Sequence, residues 1–220
     1  VMEYLRGQDL SQLLASQGVI PVAEAIEYLL QACEAIAEAH SLGIVHRDLK
    51  PANLFLTQRA DGSACIKVLD FRISKVSQFA SSAGFASLSM TNTSTMLGSA
   101  HYMSPEQVAS AKTVDTRTDI WSLGVIAYQL LSGKTPFDSD NIGELCASIL
   151  QHRPTSLVAL NRNVPLQLEQ AIGGALEKDR EQRYASVAEF ALALRPFAPA
   201  RAQLSVERVS SISLASRRSG

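Results

Sequence analysis

Residues 46 to 53 read His46-Arg47-Asp48-Leu49-Lys50-Pro51-Ala52-Asn53. An acid, a cation two residues on and an amide three beyond stand between the apolar runs Ile44-Val45 and Leu54-Phe55-Leu56, so the three side chains can converge on one point of a polar loop. Taken singly, such residues are more often turn formers. The order of all eight carries the information.

On the N-terminal side, Asp9 stands where an N-cap belongs, Leu10, Leu13 and Leu14 follow at helical spacing, and Gly18 suits the end. A longer helix is predicted from Pro21 to Gly43, with Ile26, Leu29, Leu30, Cys33, Ile36 and Ala37 on one face and Glu24, Glu27, Glu34 and Glu38 on the wet side. On the C-terminal side, the runs Leu54 to Leu56 and Ile66 to Leu69 read as two strands joined through Asp61-Gly62, a favoured turn pair. Residues 74 to 99 are crowded with serine and threonine and read as a mobile loop. Asp119 to Leu131 is apolar on nearly every side, which predicts a buried central helix ended by Gly133. Three amphipathic segments follow, Ile142 to Leu150, Leu166 to Leu176 and Val187 to Leu194; residues 198–220, rich in Ser, Ala and Arg, read as a tail or linker.

Composition narrows the function. The 220 residues are 46% apolar and 19% charged, enough to bury a core, and 20 Lys plus Arg against 21 Asp plus Glu give a net charge of -1. No basic excess points to nucleic acid or an anionic membrane. The longest apolar run is too short to span a bilayer. Cys33, Cys65 and Cys146 match no metal or disulfide pattern and read as buried thiols of a reducing cytoplasm.

The eight-residue stretch resembles the catalytic loop of protein kinases, in the serine/threonine version that carries lysine. The resemblance implies that Asp48 accepts the proton of a substrate hydroxyl, Lys50 neutralises the transferring phosphate and Asn53 holds magnesium. Seventeen residues after Asn53 comes Asp70-Phe71, where the family has its second magnesium ligand; the family's next residue is glycine, and here it is Arg72. Met103-Ser104-Pro105-Glu106 resembles the signature that closes the activation segment, which then runs 37 residues from Asp70 to Glu106. Ser99 stands for the family's threonine hydroxyl near Asp48 and Lys50. Asp119 resembles the aspartate that braces the catalytic loop, and Arg183 the arginine that pairs with Glu106. Arg47 is the implied receiver of a phosphorylated activation loop, with Thr91, Thr93 and Thr95 as candidate phosphosites.

By the same comparison residues 1–8 are a hinge remnant, where Glu3 and Leu5 bond the adenine edge and Met2 is the gatekeeper; Asp9 lies near the ribose and Phe55 floors the base. Residues 9–197 then form the large lobe. The fold implied is α+β and mainly α, about six helices around a buried central one, with a short β-hairpin at the cleft. The implied cofactors are ATP and magnesium, and the implied partner is a protein bearing a Ser or Thr hydroxyl. No Gly-x-Gly-x-x-Gly occurs, and no lysine precedes Lys50, so the small lobe is expected upstream and the 220 residues alone are expected to be inactive or nearly so. Arg72 sets the rival reading, a non-catalytic docking module. A small-molecule kinase is disfavoured by the long serine-rich segment and the Ser104-Pro105-Glu106 ending.

Overall fold

Asp9 starts the chain's first helix as an N-cap in extended conformation, its carboxylate accepting from the backbone N–H groups of Ser11 and Gln12. The structure is a computed structural model, and it describes residues 6–71, 93–110 and 114–218. Helix α1 spans Leu10–Gln17 and stops at Gly18, whose φ of 75° suits glycine. Helix α2, Val22–Ser41, turns the predicted apolar face inward: Ile26, Leu29, Leu30, Cys33 and Ile36 are wholly buried.

Strand β1 is the pair Gln8–Asp9, β2 is Leu54–Gln58 and β3 is Ala64–Val68, forming a three-stranded antiparallel sheet in the order β1-β2-β3. The expected hairpin is present, but residues 59–63 make a five-residue connection rather than a two-residue turn. Gly7 leads into β1 with a φ of 149°, and a Cβ there would lie 2.0 Å from the Leu56 carbonyl oxygen, so only glycine lets the two backbones approach.

The centre of the molecule is helix α5, Arg117–Ser132, in which every residue from Thr118 to Tyr128 is buried. Its Gly124 meets α8 (Leu166–Ala175) so closely that a Cβ would stand 2.9 Å from that of Ala175. Around it lie α3 (Thr93–Ala100), α4 (Pro105–Ala109), α6 (Ile142–Gln151), α7 (Leu157–Leu160) and α9 (Val187–Leu194). The fold class is the mainly helical α+β one expected, with more helices than about six because short ones such as α4 and α7 leave little periodic signal.

Four expectations change. The serine-rich loop reading fails at its end, where Thr93–Ala100 is helical. Where a tail or linker was expected, Gln203–Arg218 form helix α10, which packs on α2 and α9, and Ala202, Val206 and Val209 are buried. For the same reason Glu27 is not on a wet face. It is 3% exposed, its carboxylate taking two hydrogen bonds from the Arg201 guanidinium at 2.8 and 2.6 Å. Of the cysteines only Cys33 is buried, and burial pushes its thiol up to about 12; Cys65 and Cys146 are partly exposed, and all three are free thiols. No helix among the described residues is long and apolar enough to cross a membrane.

Candidate active site

Residues 44–50 belong to no helix or strand, so their backbone N–H groups need acceptors from elsewhere. Asp119 supplies them. It sits in the first turn of α5, where the helix dipole favours a carboxylate, and it is wholly buried. Its Oδ2 accepts from the His46 N–H at 2.9 Å and its Oδ1 from the Arg47 N–H at 2.8 Å, while His40 Nε2 stands 2.8 Å from Oδ2. Arg47 is held at a φ of 66°, a left-handed conformation that costs a non-glycine residue about 1 kcal/mol or more. Its neighbours fix that conformation from both sides, since the Arg47 carbonyl accepts from Gln107 Nε2 at 2.8 Å. The Arg47 guanidinium is exposed and makes no ion pair among the described residues.

Beyond the brace, the loop closes on itself. Lys50 Nζ donates to Ser99 Oγ at 2.8 Å and lies 3.5 Å from Asp48 Oδ2, with both side chains about a quarter exposed. Asn53, on the turn Pro51–Asn53 that enters β2, is 4% exposed and donates its amide N–H to the Asp48 carbonyl at 3.2 Å. That bond assigns the amide orientation and leaves Asn53 Oδ1 as an oxygen donor for a cation. The Leu69 N–H bonds the Asn53 carbonyl at 2.8 Å, so Asp70 follows directly beside the strand end that carries Asn53. Asp70 has a φ of 55°, a second left-handed residue in the same small region.

His46 links the two halves. Its Nδ1 accepts from the Asp48 N–H at 3.4 Å and its Nε2 donates to the Leu69 carbonyl at 3.0 Å, which assigns the Nε2–H tautomer. The ring also meets Phe71 edge-on at 5.0 Å. His46 thus ties Asp48 to the residues flanking Asp70, a role the sequence reading did not give it.

The far side is anchored by α4. Ser104 and Gln107 form a capping box, Ser104 Oγ accepting from the Gln107 N–H and Gln107 Oε1 from the Ser104 N–H. Ser104 Oγ also lies 2.7 Å from Thr118 Oγ1. Glu106 receives the Arg183 guanidinium in two parallel bonds of 2.8 and 3.1 Å, both side chains nearly out of contact with water. Next to that pair, Lys178 stands 3.7 Å from the Phe137 ring centre and donates to the Ile149 carbonyl at the end of α6. Burial, and the Arg183 cation beside it, push the Lys178 amine down to about 8.

Of the residues singled out in the sequence, Asp48, Lys50, Asn53, Asp70, Ser99 and Asp119 come together around the loop, and Glu106 meets Arg183. Asp9 and Phe55 face each other as a β1–β2 pair. Met2, Glu3, Leu5, Arg72 and Thr91 lie outside the described residues; Thr93 and Thr95 begin α3, and their side chains are likewise not described. The sequence reading missed Gln107 and His40. Gln107 was readable as the fourth residue of the Ser104-x-x-Gln107 cap, whereas nothing local marks His40 as the neighbour of a residue 79 positions away.

Comparison with known proteins adds the relatives. The sequence profile described as "Protein kinase domain" matches residues 1–193. A probable serine/threonine-protein kinase of Clostridium acetobutylicum is 38% identical over 189 residues, 86% of this chain and 27% of that protein. The probable serine/threonine-protein kinase PknB of Lactococcus lactis is 37% identical over 86% of this chain and 28% of its own length. A serine/threonine-protein kinase of Myxococcus xanthus is 38% identical over 198 residues, 89% of this chain and 27% of that protein. The chain thus spans little more than a quarter of each of these relatives. A profile match that takes in the brace, the loop and the Glu106–Arg183 clamp together settles its affiliation: the chain belongs to the protein kinase domain family.

Proposed function

We propose that the protein carrying this chain is a serine/threonine protein kinase that moves the γ-phosphoryl group of ATP onto Ser or Thr hydroxyls of other proteins. The observation that carries the reading is the closure of Asp48, Lys50 and Asn53 into one hydrogen-bonded loop, with Asp70 beside it and Asp119 beneath it. Asp48 is the one group of the three that can take a proton. It orients the acceptor hydroxyl and receives its proton as the new O–P bond forms and the bond to the departing ADP oxygen breaks. Lys50, held by Ser99, offsets the negative charge on the phosphoryl oxygens.

Asn53 Oδ1 and the Asp70 carboxylate are hard oxygen donors on neighbouring chain segments. That donor set suits magnesium, which needs only one or two protein ligands when phosphates supply others. Bound there, the ion would neutralise phosphate charge. On the nucleotide side, Met2, Glu3 and Leu5 are assigned to the adenine edge, Asp9 to the ribose and Phe55 to the face of the base. The exposed Arg47 cation is assigned to a phosphate on Thr91, Thr93 or Thr95, which would bring nearly two negative charges. Three free thiols favour a reducing, cytoplasmic setting for this domain.

Arg72 favours one alternative, a docking module without catalysis, because arginine replaces the family's glycine beside Asp70. The test is magnesium-dependent phosphorylation of a protein substrate by the native-length protein and by its Arg72→Gly variant. Transfer by the unaltered protein, changed little by the substitution, supports the kinase reading; no transfer until glycine is restored supports the alternative.

A further inference from the structure

The peptide unit that joins Arg47 to Asp48 is held at both edges. Its carbonyl accepts from Gln107 Nε2 at 2.8 Å, and its N–H makes the longer bond of 3.4 Å to His46 Nδ1. A peptide is planar, so holding that plane sets the backbone torsions on either side of it, ψ of Arg47 and φ of Asp48, and with them the direction in which the Asp48 side chain leaves the chain. Asp119 acts one peptide earlier, on the Arg47 N–H, and so bears on the left-handed φ of Arg47 instead.

Gln107 is the third residue of α4, and the two ends of its amide are committed differently. Oε1 closes the capping box by accepting from the Ser104 N–H at 3.0 Å, which turns Nε2 outward to Arg47. Glutamate there would close the same box and suit the helix dipole better, but it has no N–H to give. The amide therefore supplies something the cap does not need. Its base is fixed: Ser104 Oγ lies 2.7 Å from Thr118 Oγ1, and Glu106 is clamped by Arg183. Thr118 and Asp119 are neighbours in α5, one holding α4 and the other the catalytic loop, and the bond from Gln107 to Arg47 closes the triangle.

We propose that Gln107 is a positioning residue for phosphoryl transfer, through which the placement of α4, at the close of the activation segment, sets the direction of Asp48. The inference rests on the kinase reading and deepens it. When α4 shifts, the Arg47 carbonyl loses its donor and Asp48 can turn away from the acceptor hydroxyl. Gln107 is half-buried, so water can replace the lost bond but not its direction, and the loss falls on rate rather than on stability.

The test compares Gln107→Glu with wild type in the native-length protein, supplied with magnesium ATP and a Ser/Thr protein substrate. The carboxylate keeps the cap and sets an oxygen against the Arg47 carbonyl. In the variant kcat should fall by about tenfold or more while KM for ATP stays within about twofold and the urea midpoint holds. The Asp48 amide should exchange faster, and the Val108 amide, which bonds the Ser104 carbonyl at 3.0 Å within α4, should stay protected. Gln107→Ala, which gives up the cap as well, should lose as much in kcat and lower the urea midpoint too. A Gln107→Glu protein with wild-type kcat, or one whose lost rate comes with a lowered urea midpoint and an unprotected Val108, reduces Gln107 to a helix cap and overturns the inference while the kinase reading stands. No transfer by wild type overturns both.

Discussion

Asp119→Asn isolates the brace beneath the catalytic loop. The carboxylate serves two backbone N–H groups with two oxygens, Oδ1 for Arg47 and Oδ2 for His46, in a position without water. Asparagine has nearly the same shape but one oxygen and one NH2. Whichever way the amide turns, one loop N–H keeps a neutral bond in place of a charge-assisted one, a loss of about 1 kcal/mol. The other then faces a donor and is left unsatisfied, at about 1 to 3 kcal/mol. The sum, about 2 to 4 kcal/mol, is a large share of the roughly 5 to 15 kcal/mol that holds a domain folded. The chain has a single tryptophan, Trp121, two residues from Asp119 and wholly buried, so its fluorescence reports unfolding from inside the affected region. With a urea m-value of ~2 kcal/mol per molar, the midpoint should fall by about 1 to 2 M. Amide exchange at His46 and Arg47 should quicken, while amides in the middle of α9 change only with global stability. A midpoint shift below about 0.3 M, or unchanged exchange at those two amides, refutes the assignment of Asp119 as their acceptor.

Other perturbations test the surrounding structure. Arg183→Ala leaves the Glu106 carboxylate buried and unpaired, so stability should drop by about 3 to 5 kcal/mol, and by less when Glu106→Gln is added; equal loss in single and double variants would deny the coupling. Lys178 gives up its proton near pH 8 in the folded chain but near its ordinary 10.5 when unfolded. Between these values the unfolded chain binds more protons, so stability should rise with pH. From pH 8 to 10 the rise should be about 1 to 2 kcal/mol, allowing for solvent screening of a half-exposed amine, and urea midpoints of Lys178→Met should lack it. If wild type and variant give parallel pH profiles, the ring face of Phe137 and the Ile149 carbonyl offset the burial. Deleting residues 199–220 strips Glu27 of Arg201 and uncovers the α2 face under Val206 and Val209, which should lower stability by about 3 kcal/mol or more. An unchanged urea midpoint would mean that α10 only rests on the lobe.

Much of this architecture was legible because the relevant signals are local. Apolar spacing marked α2, α5 and α9, the Asp9 cap and Gly18 marked the ends of α1, and the order His46 to Asn53 marked the loop. What escaped depends on distant partners. Helix α10 is Ser- and Arg-rich, and its helicity comes from packing on α2, including the Arg208–Glu34 ion pair between residues 174 positions apart. Glu27 reads as solvent-facing until Arg201 arrives. The left-handed backbone at Arg47 and Asp70 carries no compositional mark, since neither residue is glycine; contacts from Asp119 and Gln107 hold the first of them there.

The proposed role of Asp48 as proton acceptor in phosphoryl transfer can be measured by following labelled γ-phosphate from magnesium ATP to protein Ser and Thr in the native-length protein, wild type against Asp48→Asn. Wild type should transfer the label, and kcat for the variant should drop by about a hundredfold or more with its urea midpoint little changed. Equal rates in the two proteins, or no transfer by wild type under any magnesium concentration, would contradict it.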